Sequence, residues 1–306
     1  MKEPLLSVII VTHNNSRYIK QCLDTLFVSL KDIHNEVFVI DNASTDDTID
    51  ILKKYKKKFT FVMSKKNVGF GKANNEIYKC TKGAYVWLVN PDVFVDNLCA
   101  KKMVSFLNTR DDIGIVGAQM RNVDGSMQGS FGYRPTFWRE VFQQIFVYRV
   151  LPIGKIVMPG ILTAYMFKHS HGVSWVSGGC MMIRRRALKK NTELFNPTYF
   201  MYVEDVDLCL RIQNQGYRVW YLSSAVLTHI HSGSFGHDVG RYTYANILEA
   251  HSILSFWKLW HSTQVLRYTC LRFLLKTKLA VKLLIYPTST MRVYSTEMQW
   301  QSWKKI

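Results

Sequence analysis

The chain has 306 residues, of which 48% are hydrophobic and 20% are charged, a balance that excludes a disordered chain and supplies enough apolar material for a core. Lys and Arg number 40 against 22 Asp and Glu, and the resulting formal charge of +18 favours a polyanionic partner: nucleic acid, anionic lipid or a phosphorylated substrate. The six cysteines include no Cys-x-x-Cys pair, so the sequence indicates neither a zinc ribbon nor a disulfide framework, and we expect reduced thiols in a cytosolic protein.

Neither end of the chain shows a membrane signal. The first apolar run is short and is followed by a polar cluster, which is not the pattern of a signal peptide. The most apolar late stretch, residues 270–286, is interrupted by Arg272, Lys276, Lys278 and Lys282, and a span needs roughly 20 mostly apolar residues. This pattern favours a helix that lies on a surface.

The first 120 residues alternate between strand-like and helix-like periods. Short β-branched or aromatic runs predict strands, and the segments between them have helical spacing. In chain order the predicted strands are residues 5–11, 36–41, 59–63, 84–89 and 113–120, with helices at 14–30, 42–58 and 71–83. Such alternation predicts a mostly parallel α/β sheet covered on both faces.

Local signals suggest where these helices begin and end. The first presents Ile19, Cys22, Leu23, Leu26 and Leu30 on one face, and Asn15 or Ser16 is available as its N-cap. Ser44 and Asp47 resemble a capping box for the second helix, which ends in lysines. Gly83 is expected to close the third.

The second half of the chain is less regular. Residues 137–168 are aromatic, apolar and basic without a clean period. A strand with a Gly-Gly break is predicted over 173–188, a helix over 201–216 with Gly216 as its stop, and another strand over 217–222. From about Arg241 the chain is expected to form helices rich in Trp, Leu, Lys and Arg.

Polar residues follow three of the early strands. The strand ends carry Thr12-His13-Asn14, Asp41-Asn42 and Asn90-Pro91-Asp92. In open α/β sheets ligands bind beyond the carboxyl ends of the strands. We therefore expect these side chains to share one ligand-binding rim.

The sequence lacks both common glycine-rich nucleotide motifs. There is no G-x-x-x-x-G-K-[ST] and no G-x-G-x-x-G after the first strand, which argues against a P-loop enzyme and a dinucleotide-dependent dehydrogenase. Gly69, Gly71 and Lys72 at a helix start could hold a phosphate, but taken alone the pattern favours a plain glycine loop.

Asn90-Pro91-Asp92 has two interpretations. It is a common turn sequence. Alternatively, the proline fixes the backbone so that Asp92 projects past the strand end, where one carboxylate together with diphosphate oxygens can hold Mg²⁺ or Mn²⁺.

A second cluster consists of Glu204, Asp205 and Asp207 at the start of a predicted helix. These acids compensate the positive end of the helix dipole, but they also follow an apolar segment where a carboxylate could act as a general base. His229 and His231 are two residues apart, so they share a face of an extended chain. They are either packing residues or ligands that need carboxylate help to hold a metal.

The order of these motifs resembles the family 2 glycosyltransferases, which have the GT-A fold. The stretches T-H-N-N, D-N-A-S-T-D-D-T, N-V-G-F-G-K-A-N-N, V-N-P-D-V, S-G-G-C-M-M-I-R-R, E-D-V-D-L-C-L-R and T-H-I-H-S-G-S follow one another over about residues 5–240. The most similar branch is the rhamnosyltransferase-like enzymes of bacterial O-antigen, lipopolysaccharide and cell-wall synthesis. The resemblance implies a Rossmann-like nucleotide-binding mixed sheet over 1–240, with a nucleotide-sugar half (1–120) and an acceptor half (121–240), and a helical basic extension over 241–306.

The resemblance also implies residue roles. Asp205 matches the family's catalytic base, with Glu204 as its alternative, and Asp92 with His229 would hold the metal. The acceptor side would include Gly178, Gly179, Asp207 and His231. The nucleotide-sugar pocket would be lined by Thr12, His13, Asn14, Asp41, Asn42, Asn67, Gly69, Lys72, Asn90 and Asp92. Two departures stand out: Asn42 replaces a second acid that relatives use near the base, and Asn90 replaces the first acid of the D-x-D metal motif.

The implied reaction is metal-dependent, inverting transfer of a sugar from a nucleotide diphosphate to a saccharide hydroxyl, with Mg²⁺ or Mn²⁺ as cofactor. L-Rhamnose from dTDP-rhamnose is the expected donor and a UDP-hexose the alternative. The implied acceptor is linked to polyprenyl diphosphate, which places the enzyme in the cytoplasm on the inner face of the membrane. The alternative from another functional class is a basic protein that binds nucleic acid or a membrane without catalysis. The basic residues are spread along the chain and partly amphipathic, so we expect an anionic membrane surface as a partner and no nucleic acid.

Overall fold

A computed structural model describes residues 3–55, 57–144, 164–190, 192–230 and 239–285. The strands are β1 Leu6–Thr12, β2 Asn35–Asp41, β3 Thr60–Met63, β4 Tyr85–Val89, β5 Val93–Val95, β6 Ile113–Arg121, β7 Met127–Gln128, β8 Phe131–Gly132, β9 His171–Val173, β10 Trp175–Val176, β11 Cys180–Arg184 and β12 Arg218–His229. The α-helices are α1 Ile19–Ser29, α2 Thr48–Lys54, α3 Phe70–Tyr78, α4 Cys99–Thr109, α5 Phe137–Gln144, α6 Ala164–Lys168, α7 Glu204–Gln213, α8 Val239–Trp260 and α9 Val265–Ile285.

The main sheet is mixed. Its strands run in the order β3-β2-β1-β4-β11-β6-β12-β5, and the first four are parallel. β11 enters antiparallel between β4 and β6, β12 is parallel to β6, and β5 closes the edge antiparallel to β12. The parallel half follows the strand-helix alternation of the first 90 residues, as expected. Of the antiparallel strands, β11 comes from the less regular second half, whereas the short β5 follows β4 directly.

Both faces of the sheet are buried. Val8 and Ile10 on β1 belong to one hydrophobic cluster, whereas Ile9 and Val11 belong to the other. Successive side chains of a strand point to opposite faces, so an uninterrupted apolar run is what a doubly covered strand requires. All five residues of the predicted α1 face, from Ile19 to Leu30, are at most 2% exposed.

The helices themselves were predicted more accurately than the residues at which they begin and end. Tyr18 occupies the N-cap of α1, and neither it nor Asp47, the N-cap of α2, makes a side-chain capping bond. Asn15 and Ser16 therefore do not cap α1. Ser44 accepts a hydrogen bond from the backbone of Asn14 at 2.9 Å, so the capping box was also wrong.

Gly83 does not end α3, which stops at Tyr78. A Cβ at Gly83 would lie 2.5 Å from the backbone nitrogen of Ser7, so glycine is needed where the chain approaches β1. Gly216, with φ of +87°, does follow α7 as expected.

The chain divides into two compact units. The first, made of Met1–Tyr133, Leu162–Pro197 and Glu204–Ser234, contains the sheet. In the second, α8 packs against α9 and α9 against α5, and Ser252 donates a 2.7 Å hydrogen bond to the carbonyl of Met201. Among the helices of the described ranges, none is both long and apolar enough to cross a membrane.

Candidate functional site at the carboxyl rim of the sheet

The ends of β1 and β2 form a polar, buried corner. Thr12 and Asp41 are 0% and 1% exposed, and the backbone of Asn42 donates a 2.7 Å bond to the Thr12 carbonyl. One oxygen of Asp41 accepts from the backbone of Ser44 at 2.9 Å. Its other oxygen, the Thr12 hydroxyl and Nδ1 of His13 are buried without a hydrogen-bond partner. Buried polar atoms are normally satisfied, so this corner has unused hydrogen-bonding capacity that suits a polar ligand.

Asn14 ties the first strand end to the loop after β2. Its φ is +55°, a left-handed conformation that asparagine tolerates better than most residues. The Asn14 side chain accepts a 2.7 Å bond from the backbone of Thr45, and its own backbone donates to Ser44. These bonds fix the loop around the buried corner.

Asn42 fixes a second loop. Its amide oxygen accepts from the backbone of Val68 at 3.0 Å, and its amide nitrogen donates to the side chain of Asn67 at 2.9 Å. Gly69, with φ of +87°, is the N-cap residue of α3, on which Lys72 is exposed. The amide of Asn42 is thus used within the protein, and the group left for a ligand is the neighbouring Asp41.

The Asn90-Pro91-Asp92 segment is both a turn and a presented carboxylate. The backbone of Val93 donates to the Asn90 carbonyl at 3.3 Å, which closes a four-residue β-turn. The turn joins β4 to β5 and holds Asp92 5% exposed. The two interpretations of the sequence are therefore compatible, because the turn is what positions the acid.

The structure brings Asp92 and His229 together. β5 pairs antiparallel with β12, which places His229 opposite Val93, and the Ile230 backbone donates to the Asp92 carbonyl at 3.0 Å. The Nε2 atom of His229 lies 3.5 Å from Oδ1 of Asp92. His231 lies outside the described residues. Within those residues, no group of three or more His, Cys, Asp and Glu side chains is arranged for a metal ion.

Gln128, which the sequence analysis did not single out, contacts this pair. Its side-chain oxygen lies 2.7 Å from Nδ1 of His229, and its side-chain nitrogen donates to Asn122 at 3.1 Å. Gln128 is on β7, in the hairpin that β7 forms with β6. The sequence does contain a signal for this hairpin: Asp124-Gly125 lies between two strand-like runs, and Asp-Gly in that position is typical of a tight β-hairpin.

Asp205 is held at the start of α7 by two backbone bonds. Gly178 donates to one carboxylate oxygen at 2.9 Å and Val206 donates to the other at 2.8 Å. Burial raises the pKa of Asp205, and the backbone donors partly oppose this effect. A raised pKa brings a carboxylate closer to the range in which it can accept a proton and release it again.

Glu204 and Asp207 flank Asp205 in different environments. Glu204 is 5% exposed, one of its oxygens has no partner, and burial together with the nearby Asp205 raises its pKa well above the ordinary value. Asp207 is 2% exposed and forms a 2.8 Å ion pair with Arg211, one helical turn later. Asp207, predicted for the acceptor side, is thus engaged within the helix.

Gly178 and Gly179 connect these features. The backbone of Asn90 donates a 3.0 Å bond to the carbonyl of Gly179, while the Gly178 N–H bonds Asp205. A Cβ on Gly179 would lie 3.1 Å from the Asn90 side chain. The Gly-Gly break before β11 therefore holds the Asp92 turn and Asp205 on the same rim.

The architecture is that of the GT-A glycosyltransferases. A mannosyltransferase from Pyrobaculum calidifontis, solved with GDP-Man and Mn²⁺, matches with a TM-score of 0.56 and 16% identity over 100% of this chain and 83% of its own. Staphylococcus aureus TarS 1-349 with UDP-GlcNAc matches with a TM-score of 0.51 and 19% identity, covering 98% of this chain and 78% of that one. At these identities the likeness shows the fold, and it confirms the predicted fold class.

Residues 7–192 match the family model described as Glycosyl transferase family 2, and the chain belongs to this family. It is 26% identical over 250 residues to a Mycobacterium tuberculosis N-acetylglucosaminyl-diphospho-decaprenol L-rhamnosyltransferase, covering 76% of this chain and 78% of that protein. It is 23% identical over 283 residues to the Escherichia coli rhamnosyltransferase WbbL, covering 90% and 96% respectively. Against the uncharacterized protein y4gI of Sinorhizobium fredii, 24% identical over 77% of this chain, it spans only 25% of the relative's length. Glycosyltransferase activity in polysaccharide synthesis, the coarser part of the predicted function, is thereby supported.

Proposed function

We propose that this chain is an inverting glycosyltransferase that moves a sugar from a nucleotide diphosphate to an acceptor hydroxyl at the carboxyl rim of its sheet. The observation that carries the proposal is the placement of Asp205, whose pKa is raised, on the same rim as the Asp92–His229 pair, both held by the Gly178-Gly179 turn. Acid-base and diphosphate-binding groups are what a direct displacement at a sugar carbon requires.

The nucleotide would bind in the corner of β1 and β2. The free oxygen of Asp41 can accept a hydrogen bond from a ring N–H, and the Thr12 hydroxyl and His13 Nδ1 supply further polar contacts. Asn14, Asn42, Asn67 and Gly69 would shape the pocket wall. Lys72 would lie near the diphosphate.

The donor set at Asp92 and His229 fits a divalent cation. One carboxylate and one imidazole nitrogen, 3.5 Å apart, can share an ion whose remaining ligands are diphosphate oxygens and water. Such an ion supplies charge neutralisation on the departing diphosphate. Asp92 and His229 would hold it, and Asn90 would complete the polar wall beside it.

Asp205 would act as the general base. Its backbone hydrogen bonds from Gly178 and Val206 fix the carboxylate, and its partial burial favours proton uptake from an acceptor hydroxyl. The oxygen then forms a bond to the anomeric carbon as the bond to the diphosphate breaks on the opposite face. Burial and the neighbouring Asp205 raise the pKa of Glu204, so it would hold a proton more strongly than an exposed glutamate does.

L-Rhamnose from dTDP-rhamnose is the donor we favour, because two similar relatives are named rhamnosyltransferases. A UDP-hexose is the alternative, since TarS was solved with UDP-GlcNAc. The acceptor we favour is a saccharide linked to polyprenyl diphosphate, in the assembly of a surface polysaccharide such as O-antigen. A thermal-shift screen of dTDP-, UDP- and GDP-sugars with Mg²⁺ distinguishes the donors, because a bound ligand raises the unfolding temperature.

The test of the base is Asp205→Asn. We expect transfer to fall about 10²- to 10⁴-fold, the usual contribution of a general base, while nucleotide-sugar affinity is retained. Asp92→Ala is the companion variant: it should abolish the Mg²⁺ or Mn²⁺ dependence of that affinity. Loss of nucleotide binding in Asp205→Asn, or undiminished transfer, would contradict the assignment.

We further propose that the second unit docks on an anionic membrane surface from the cytoplasmic side. Trp257 and Leu271, at 2% and 0% exposed, are buried and unavailable to a membrane surface. Leu266 and Phe273 on α9, at 77% and 74% exposed, are better placed to enter a lipid interface. Sedimentation with phosphatidylglycerol vesicles should decrease in Leu266→Ser/Phe273→Ser, and equal sedimentation of the variant and the unmodified chain would refute this docking face.

A further inference from the structure

A second concave surface lies at the opposite edge of the sheet from the carboxyl rim. It has a volume of about 1570 Å³ and includes Leu5, just before β1, Ala84 and Tyr85 at the start of β4, and Arg184 at the end of β11. We call it the basic cavity, after the Lys and Arg residues that line it. Because β1 is seven residues long and a strand rises about 3.3 Å per residue, roughly 20 Å separates the basic cavity from the rim. A ligand in the basic cavity is therefore too distant to react at Asp205.

Basic side chains dominate the lining of the basic cavity. Seven Lys and Arg residues line it against two glutamates, Glu3 and Glu193. The basic residues are Lys79, Lys82, Arg184, Arg185, Arg186, Lys189 and Lys190. A cavity wall of one charge sign concentrates the electrostatic field inside and attracts counter-ions.

Four of the seven basic side chains have partners in the protein. Arg184 donates to the carbonyls of Ile113 and Arg110 at 2.9 Å, and Arg185 donates to the Thr81 hydroxyl at 2.7 Å. Two further side chains form ion pairs: Arg186 with Asp111, and Lys79 with Glu193. These contacts give the four residues structural roles.

The other three, Lys82, Lys189 and Lys190, make no ion pair with any acidic side chain of the described residues. All three are exposed and line the same cavity. Lysine is a point charge with three rotatable donors, which suits a tetrahedral phosphate approached from several directions. The partly exposed Leu188 in the same wall offers apolar surface to the rest of such a ligand.

We propose that the basic cavity binds the phosphate group of an anionic ligand through Lys82, Lys189 and Lys190, at a site separate from the carboxyl rim. The group can belong to a free phosphate compound or to a phospholipid headgroup. In either case the ligand anchors or regulates the protein and is not a reactant. The proposal does not depend on the sugar-transfer function.

The first test reads the three lysines directly in the full-length protein. Limited acetylation with an amine-reactive ester is followed by mass spectrometry, without ligand, with pyrophosphate in EDTA, and with vesicles of phosphatidylglycerol or of phosphatidylcholine. Lys82, Lys189 and Lys190 should be acetylated at least threefold more slowly with pyrophosphate if a free phosphate compound is the ligand, or with phosphatidylglycerol alone if a headgroup is. Lys54, Lys57 and Lys101, exposed elsewhere on the same unit, are internal controls and should not change.

The second test removes the charges. Lys82→Gln/Lys189→Gln/Lys190→Gln should weaken binding of the effective probe about tenfold, because three exposed charge contacts each contribute a fraction of a tenfold step. The matched variant Lys54→Gln/Lys57→Gln/Lys101→Gln loses the same net charge and should bind as the unmodified chain does. Equal loss in both variants, or acetylation that neither probe slows, would overturn the proposal.

Discussion

The hydrogen bond between Gln128 and His229 should control how well the rim holds a divalent cation. The side-chain nitrogen of Gln128 donates to Asn122, so its oxygen faces Nδ1 of His229 and requires a hydrogen there. A neutral ring then carries its lone pair on Nε2, the atom 3.5 Å from Asp92. Gln128→Leu removes the acceptor and leaves the ring free to rotate or to change tautomer.

The size of the effect follows from the bond that is lost. A neutral hydrogen bond contributes about 0.5–1.5 kcal/mol net. Because 1.4 kcal/mol corresponds to a factor of ten, Gln128→Leu should weaken Mn²⁺ binding roughly 2- to 12-fold. Gln128→Glu keeps an acceptor opposite Nδ1 and should restore most of the affinity, as the outer partners of metal-binding histidines generally do.

The assay is a Mn²⁺ titration followed by electron paramagnetic resonance in the presence of a nucleoside diphosphate. His229→Ala sets the loss expected when the ligand itself is absent, and thermal unfolding checks that each variant is folded. If His229→Ala weakens Mn²⁺ binding while Gln128→Leu binds as tightly as the unmodified chain, the hydrogen bond does not orient the ring and the reasoning fails.

Three further predictions concern stability. Burial and the nearby Asp205 raise the pKa of Glu204 above its ordinary value of 4.5, so the folded state retains a proton that the unfolded chain releases, and stability falls as pH rises above 4.5. Urea unfolding at pH 5 and at pH 8 should therefore show that Glu204→Gln is more stable relative to the unmodified chain at the higher pH, and a stability difference independent of pH would contradict this. Gly179→Ala places a methyl group 3.1 Å from the Asn90 side chain and should lower the free energy of unfolding by about 1–3 kcal/mol. In the same urea titration Gly178→Ala should lower it less, because its nearest contacts are at an ordinary 3.4 Å. A larger loss in Gly178→Ala than in Gly179→Ala would contradict this account of the packing. Arg184→Met leaves buried carbonyls without a donor and should cost about 2–4 kcal/mol by chemical denaturation, and a loss below 1 kcal/mol would show that solvent satisfies them.

The amino-terminal half of the fold could be predicted because its signals are local. An apolar run such as β1 and the helical spacing of α1 follow directly from burial on two faces or on one. Helix ends were predicted less well: Ser44 has the residue type of an N-cap, but its hydroxyl bonds Asn14 from the preceding strand end. Tertiary contacts thus compete with the helix for the same side-chain groups.

The candidate site was predicted as a set of residues, but not as an arrangement. Asp92 and His229 are 137 positions apart and meet only because β5 pairs with β12. β5 has three residues, too few to show a period, so that pairing has no local signal. Gln128 was missed for a related reason, since its role depends on a two-residue strand that becomes apparent only next to β6.

The Gly178-Gly179 turn links two parts of the rim through main-chain groups alone. The Gly178 N–H donates to the Asp205 carboxylate, and the Gly179 carbonyl accepts from the Asn90 backbone. Along the chain these two groups are separated only by the peptide unit between Gly178 and Gly179. The distance between the Asp92 turn and Asp205 therefore depends on the backbone torsions of two glycines and not on a side-chain rotamer of the link. Substitutions of other rim residues can therefore alter the surroundings of Asp92 and Asp205 while this main-chain link between the proposed cation site and the proposed base is retained.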